Sequence, residues 1–222
     1  MENCNPPENQ TTRRFLPIAW TAALAVALAG ALPQLAHADR IVVPHVPFNI
    51  AVEAGNKPFL EGHGVGTQNY ICLPDGTGFA YKLFTPEATL FNHGDRQQVT
   101  THYFSPNNNP FDPANKGVIT PTWQHSRDSS TVWAAATAMS TDANFVALGA
   151  IPWVLLKVTG VQDGPTHGDR LSATTFIQRL NTIGGSAPSD GCAQLADVGR
   201  KAFVPYSADY FFYFNPDADN RQ

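Results

Sequence analysis

Residues 66–85, GTQNYICLPDGTGFAYKLFT, hold two short apolar runs, Gly66 to Leu73 and Phe79 to Thr85, on either side of Asp75-Gly76. Each run is too short for an ordinary helix and carries aromatic or β-branched side chains, while Asp-Gly supplies the turn chemistry that joins paired strands. The pattern repeats outward at Val99 to Phe104, Val118 to Trp123, Thr131 to Thr137, Trp153 to Val158, Thr174 to Asn181 and Ala208 to Phe214. His93-Gly94-Asp95, Asp163-Gly164-Pro165 and Gly184-Gly185 punctuate these runs with further turn residues. The spacing predicts an all-β chain: a single-domain antiparallel β-sandwich or barrel-like fold with long loops and little helix. Trp133 to Met139 suits a helix equally because of its alanines, and Ala193 to Lys201 is a second short helical candidate.

Composition points the same way. The 222 residues include 17 Gly and 18 Pro, a density that long helices do not tolerate. A net charge of -4, a pI near 5.9 and no run of Lys or Arg exclude a nucleic-acid partner.

Thr12 to Ala38 reads as an export signal: Arg13 and Arg14, an apolar stretch from Ile18 to Leu32, then Ala36 and Ala38 flanking His37. Pro33 ends the apolar stretch short of the roughly 20 residues that a membrane span requires. The expected organisation is therefore a cleaved signal over 1–38, an N-terminal extension over 39–61 and a β-rich domain over 62–222. The expected address is secreted or periplasmic, with no membrane span after cleavage. Cleavage removes Cys4 and leaves Cys72 and Cys192, which in an exported chain predicts one disulfide.

Ile151 to Leu156 is a near-continuous apolar run suited to a strand covered on both faces. In Thr174 to Asn181, Phe176 and Gln178 share one face while Ile177 and Arg179 take the other. Burying Arg179 calls for a carboxylate, and Asp209 is the candidate by type.

No local catalytic signature is present. The mature histidines His45, His63, His93, His102, His125 and His167 form neither HxH nor HExxH, so no metal site and no cofactor is expected. Gly62-His63-Gly64-Val65-Gly66 has GxGxG spacing, unlike the GxGxxG of a dinucleotide fold, and lacks the strand-to-helix context. The densest polar and aromatic segment is Pro121 to Ser130, where Trp123, His125 and Arg127 fall on one strand face. With His102, Tyr103, Asp128 and His167 these residues form a candidate ligand platform of aromatic faces and polar anchors. The alternative is that Trp123 is core and that Arg127 and Asp128 pin a turn. The loops 105–116 and 160–169 are the surface segments where binding is expected.

The segments PTWQHSRDSSTVWA, IPWVLLKVTGVQDGPTHGDRLSATTFIQRLNTIGGSAP, VPYSADYFFYF and YICLPDGTGFAYKLFTPEATL carry a resemblance from about Gly62 to Phe214. Through them the chain resembles the exported bacterial and fungal family catalogued as domain of unknown function 3455. The resemblance implies no reaction. Some relatives carry a malate dehydrogenase label, but the missing dinucleotide fingerprint argues against NAD-dependent chemistry here. The expected function is an exported, noncatalytic β-rich domain binding a small molecule, a carbohydrate or a partner protein. The alternatives are an extracytoplasmic hydrolase or metal-assisted enzyme using dispersed histidines, and a structural envelope or matrix protein.

Overall fold

A computed structural model describes residues 41–94, 96–109 and 113–217. The stretch expected to be an export signal, and Cys4, lie outside the described residues. The expected strands all form, as β1 (Lys57–Asp75), β2 (Gly78–Phe91), β3 (Gln98–Pro106), β4 (Ile119–His125), β5 (Thr131–Ser140), β6 (Trp153–Gln162), β7 (Thr174–Gly184) and β8 (Lys201–Phe214). Each pairs antiparallel with its sequence neighbour, and β8 returns to pair with β1 from Lys57↔Phe214 to Ile71↔Lys201. Of the two expected arrangements this is the barrel. Closure removes the free strand edges that a sandwich would retain.

The inward face is packed with Leu90, Trp123, Val132, Val154, Leu156, Ile177, Tyr206, Tyr210 and Phe212. Two glycines of β1 make room for Leu90 and Tyr210, and a third lets the backbone of β2 come close. A Cβ on Gly64 would lie 2.8 Å from the Tyr210 ring, one on Gly62 3.0 Å from Leu90, and one on Gly66 1.9 Å from the Glu87 carbonyl oxygen. The Gly-His-Gly-Val-Gly run is thus a packing device: glycines inward, His63 and Val65 outward. Irregularities at Asn69/Tyr70 in β1 and at Trp133/Ala134 and Ala136/Ala138 in β5 supply local bends of the kind that curl a sheet into a barrel.

A second apolar layer lies outside the barrel. Trp153, Leu155, Phe176, Leu180, Phe211 and Tyr213 point outward from β6, β7 and β8, and the segment 41–52 covers them with Ile41, Val43, Val46, Ile50 and Val52. Gln178 Nε2 donates to the Ile50 carbonyl at 2.7 Å and so fastens this segment to β7. Val154 and Leu156 face inward while Trp153 and Leu155 face the segment, so the apolar run in β6 is covered on both sides as expected.

Two expectations are corrected. Ala193 to Lys201 is not a helix: Leu195–Asp197 forms one 3-10 turn and Lys201 opens β8. The Asp197 carboxylate accepts the Ala193 and Gln194 backbone N–H groups, which fixes a turn, and Gly199 at φ 86 leaves helical space. Nor does Asp209 pair with Arg179. Asp209 opposes Leu180 in the ladder and faces outward, whereas Arg179 opposes Tyr210 and faces the barrel interior.

Cys72 and Cys192 lie at disulfide geometry with Cα atoms 5.5 Å apart, joining β1 to the connection before β8. Among the described residues no helix is long and apolar enough to cross a membrane.

Candidate functional site

The residues singled out in the sequence separate into several environments. His102 on β3 and Trp123 on β4 are ladder partners facing inward, their rings stacked with centroids 4.1 Å apart. His102 Nδ1 donates to the Thr122 carbonyl at 2.9 Å. Burial pushes the His102 pKa down to about 3, opposed by that hydrogen bond and assisted by the Arg179 charge. Trp123 is 1% exposed and meets Tyr210 and Phe212 edge-on, which places it in the core.

His125 and Asp128 meet at the β4–β5 turn, Nδ1 to Oδ1 3.1 Å. Burial lowers the His125 pKa, against the pull of the Asp128 charge. The Asp128 carboxylate also accepts Ser130 N and Oγ, and Arg170 N at 3.0 Å from the β6–β7 connection. Burial would raise the Asp128 pKa, but these hydrogen bonds outweigh it and hold the carboxyl below its ordinary value. Gly164 and Gly168 press on this turn so closely that a Cβ would lie 1.7 Å from the Asp128 carbonyl oxygen and 2.3 Å from its Cβ. Gly164 and Gly168 of the 160–169 loop therefore serve docking onto Asp128.

The other three point elsewhere. Arg127 is exposed and donates to Gln97 Oε1. His167 is exposed at φ 62, its backbone N–H donating to the Gly164 carbonyl in a tight turn. Tyr103 is half-buried and borders, with His102, Thr101, Glu87 and Val65, a shallow groove of about 430 Å³. The structure thus brings His102 to Trp123 and His125 to Asp128, and keeps Arg127 and His167 at the rim.

A different set converges on the outer wall. His63 on β1 is the ladder partner of Asp209 on β8 and of Phe91 on β2, and Glu61 lies two residues back on the same face. His93, in the β2–β3 turn just beyond Phe91, reaches over them. His63 Nδ1 is 2.7 Å from Asp209 Oδ1, and His93 Nε2 is 3.2 Å from Glu61 Oε1 and 3.6 Å from Asp209 Oδ1. Asn181, at φ 50 beside an irregularity in β7, donates from Nδ2 to Asp209 Oδ2 at 2.8 Å. Burial raises the Glu61 pKa, with the Asp209 charge adding to it and His93 opposing. Above the cluster lies a depression of about 720 Å³ lined by His63, Val65, Phe91, Asn92, His93 and Arg96.

In the sequence His63 and His93 are two of six dispersed histidines, and no spacing there assigns them a role. The local signal was the His between inward glycines, which forces that imidazole outward. The meeting with Asp209 depends on barrel closure across 146 residues, and no spacing rule reports that.

No curated protein and no solved structure matches the chain. The family described as Protein of unknown function (DUF3455) matches residues 53–214, from just ahead of β1 to the last residue of β8, and the chain belongs to that family.

Proposed function

We propose that this is an exported, noncatalytic β-barrel protein that binds a small ligand in the depression over His63 and His93. The interior is packed with Trp123, Tyr206, Tyr210 and Phe212, so a ligand is taken on the wall of the barrel instead of inside it. One observation carries the reading: polar groups from β1, β8 and the β2–β3 turn meet beneath a depression whose walls include Val65 and Phe91. Apolar walls with a few convergent polar groups are the ordinary make-up of a small-molecule site. A disulfide between Cys72 and Cys192 agrees with an oxidising compartment, and the leader supports secretion or the periplasm.

Backbone amide NMR of the exported protein, titrated with a fragment set, tests the site. The expected shifts map to Val65, Phe91, Asn92 and Arg96, and Phe91→Ala weakens binding by about tenfold through lost apolar contact. Shifts confined to the loops 105–116 and 160–169 would move the site to those loops and overturn the reading. Intact-mass analysis of the same material is expected to give a chain starting at or near Asp39.

A metal-assisted reaction is the second reading, and the two imidazoles beside Asp209 favour it.

A further inference from the structure

Two imidazoles and two carboxylates share one patch of the outer wall, drawn from residues 61, 63, 93 and 209. Among the described residues, His63, His93 and Asp209 are the trio whose nitrogen and oxygen donors all lie within 4.8 Å of one another. Ligands bound about 2.0–2.2 Å from a tetrahedral zinc ion stand roughly 3.3–3.6 Å apart. The His93–Glu61 separation of 3.2 Å and the His93–Asp209 separation of 3.6 Å are close to that edge length. The His63–Asp209 contact, at 2.7 Å, is a hydrogen bond that must open by several tenths of an ångström to admit an ion.

The surroundings suit a metal as well as the spacing does. Asn181 occupies Asp209 Oδ2, leaving Oδ1 turned toward both imidazoles, which is how outer hydrogen bonds orient a ligating carboxylate. Asp209 is 14% exposed and fixed in a strand, whereas His93 is 54% exposed in a turn at the edge of the depression. Three groups are thus anchored on strands and one is free to close over an arriving ion. Two nitrogen donors with carboxylates select a first-row transition ion over calcium or magnesium, which prefer oxygen alone.

We infer that His63, His93 and Asp209 bind one divalent transition-metal ion, with Glu61 as the adjacent fourth donor and the depression as its open side. The inference rests on the same depression proposed above as the ligand site, and it names a metal ion as that site's resident.

Calorimetric titration of zinc chloride into exported protein stripped with EDTA tests it. One site of micromolar or tighter affinity is expected, weakened at least tenfold by His93→Ala and by His63→Ala, and unchanged by His45→Ala. His93 lies in an exposed turn, so its variant keeps the fold, which circular dichroism verifies. Cobalt(II) in place of zinc gives visible absorption bands that His93→Ala abolishes. Absence of a saturable single site, or equal affinity in the wild type and both histidine variants, overturns the inference. Fragments that still shift Phe91 in a protein taking up no zinc overturn the metal and leave the ligand site standing. Zinc bound at these residues with no fragment bound does the reverse.

Discussion

His102 shows how a histidine that looks functional in sequence is spent on packing. It sits between aromatic neighbours, stacked on Trp123 and tilted against Tyr210, and its Nδ1 donates to the Thr122 carbonyl. Folding lowers its pKa from 6.5 to about 3. Between those values acid protonates the unfolded chain before the folded one. The neutral imidazole therefore favours the fold fully above about pH 6.5, and that stability drains away as pH falls, at about 1.4 kcal/mol per pH unit. Urea unfolding at pH 7, 6 and 5 is expected to show this decline, and His102→Gln, which keeps a donor but cannot titrate, to show a shallower one. The Trp123 and Asp128 environments were legible as the alternative to a ligand platform, because a buried Trp and a turn-capping Asp are the commoner uses of those side chains. The Arg179–Asp209 pairing failed by one residue: the strands were right, but neighbouring positions face opposite sides of a sheet.

At the scale of elements, the alternation of apolar and polar residues located every strand but shortened several. β1 extends back from Gly66 through Gly64 and Gly62 to Lys57, glycines that punctuate sequence when read singly, and β8 begins at Lys201. Their reason is tertiary, since the glycines admit Leu90 and the Tyr210 ring. The covering segment 41–52 was not legible as part of the fold, because its short apolar groups have no period of their own and match only the outward rows of β6, β7 and β8. Ile50, fully buried there, is expected to cost about 2–5 kcal/mol on replacement by alanine. Phe48, 96% exposed, is expected to change stability by less than about 0.5 kcal/mol under the same substitution. Denaturant midpoints of Ile50→Ala and Phe48→Ala measure both.

For the molecule as a whole, the Cys72–Cys192 crosslink spans 120 residues, and a loop of that length corresponds to about 4–5 kcal/mol in the chain-entropy account. Cys72→Ala is expected to lower the melting temperature by an amount that reducing agent reproduces in the wild type, and nonreducing peptide mapping is expected to recover the pair. The wall cluster belongs to this scale too. Glu61 and His63 come from the first strand, His93 from the second turn and Asp209 from the last strand, so it exists only when the ring is shut. The same closure governs how the chain is made. β1 leaves the ribosome first and its partner β8 last, so for nearly the whole of synthesis the opening strand has one side unpaired. A message cut short anywhere before Lys201 yields a sheet with two sticky margins, ready to recruit other chains. Only the final fourteen-residue strand gives β1 its second partner and shuts the ring.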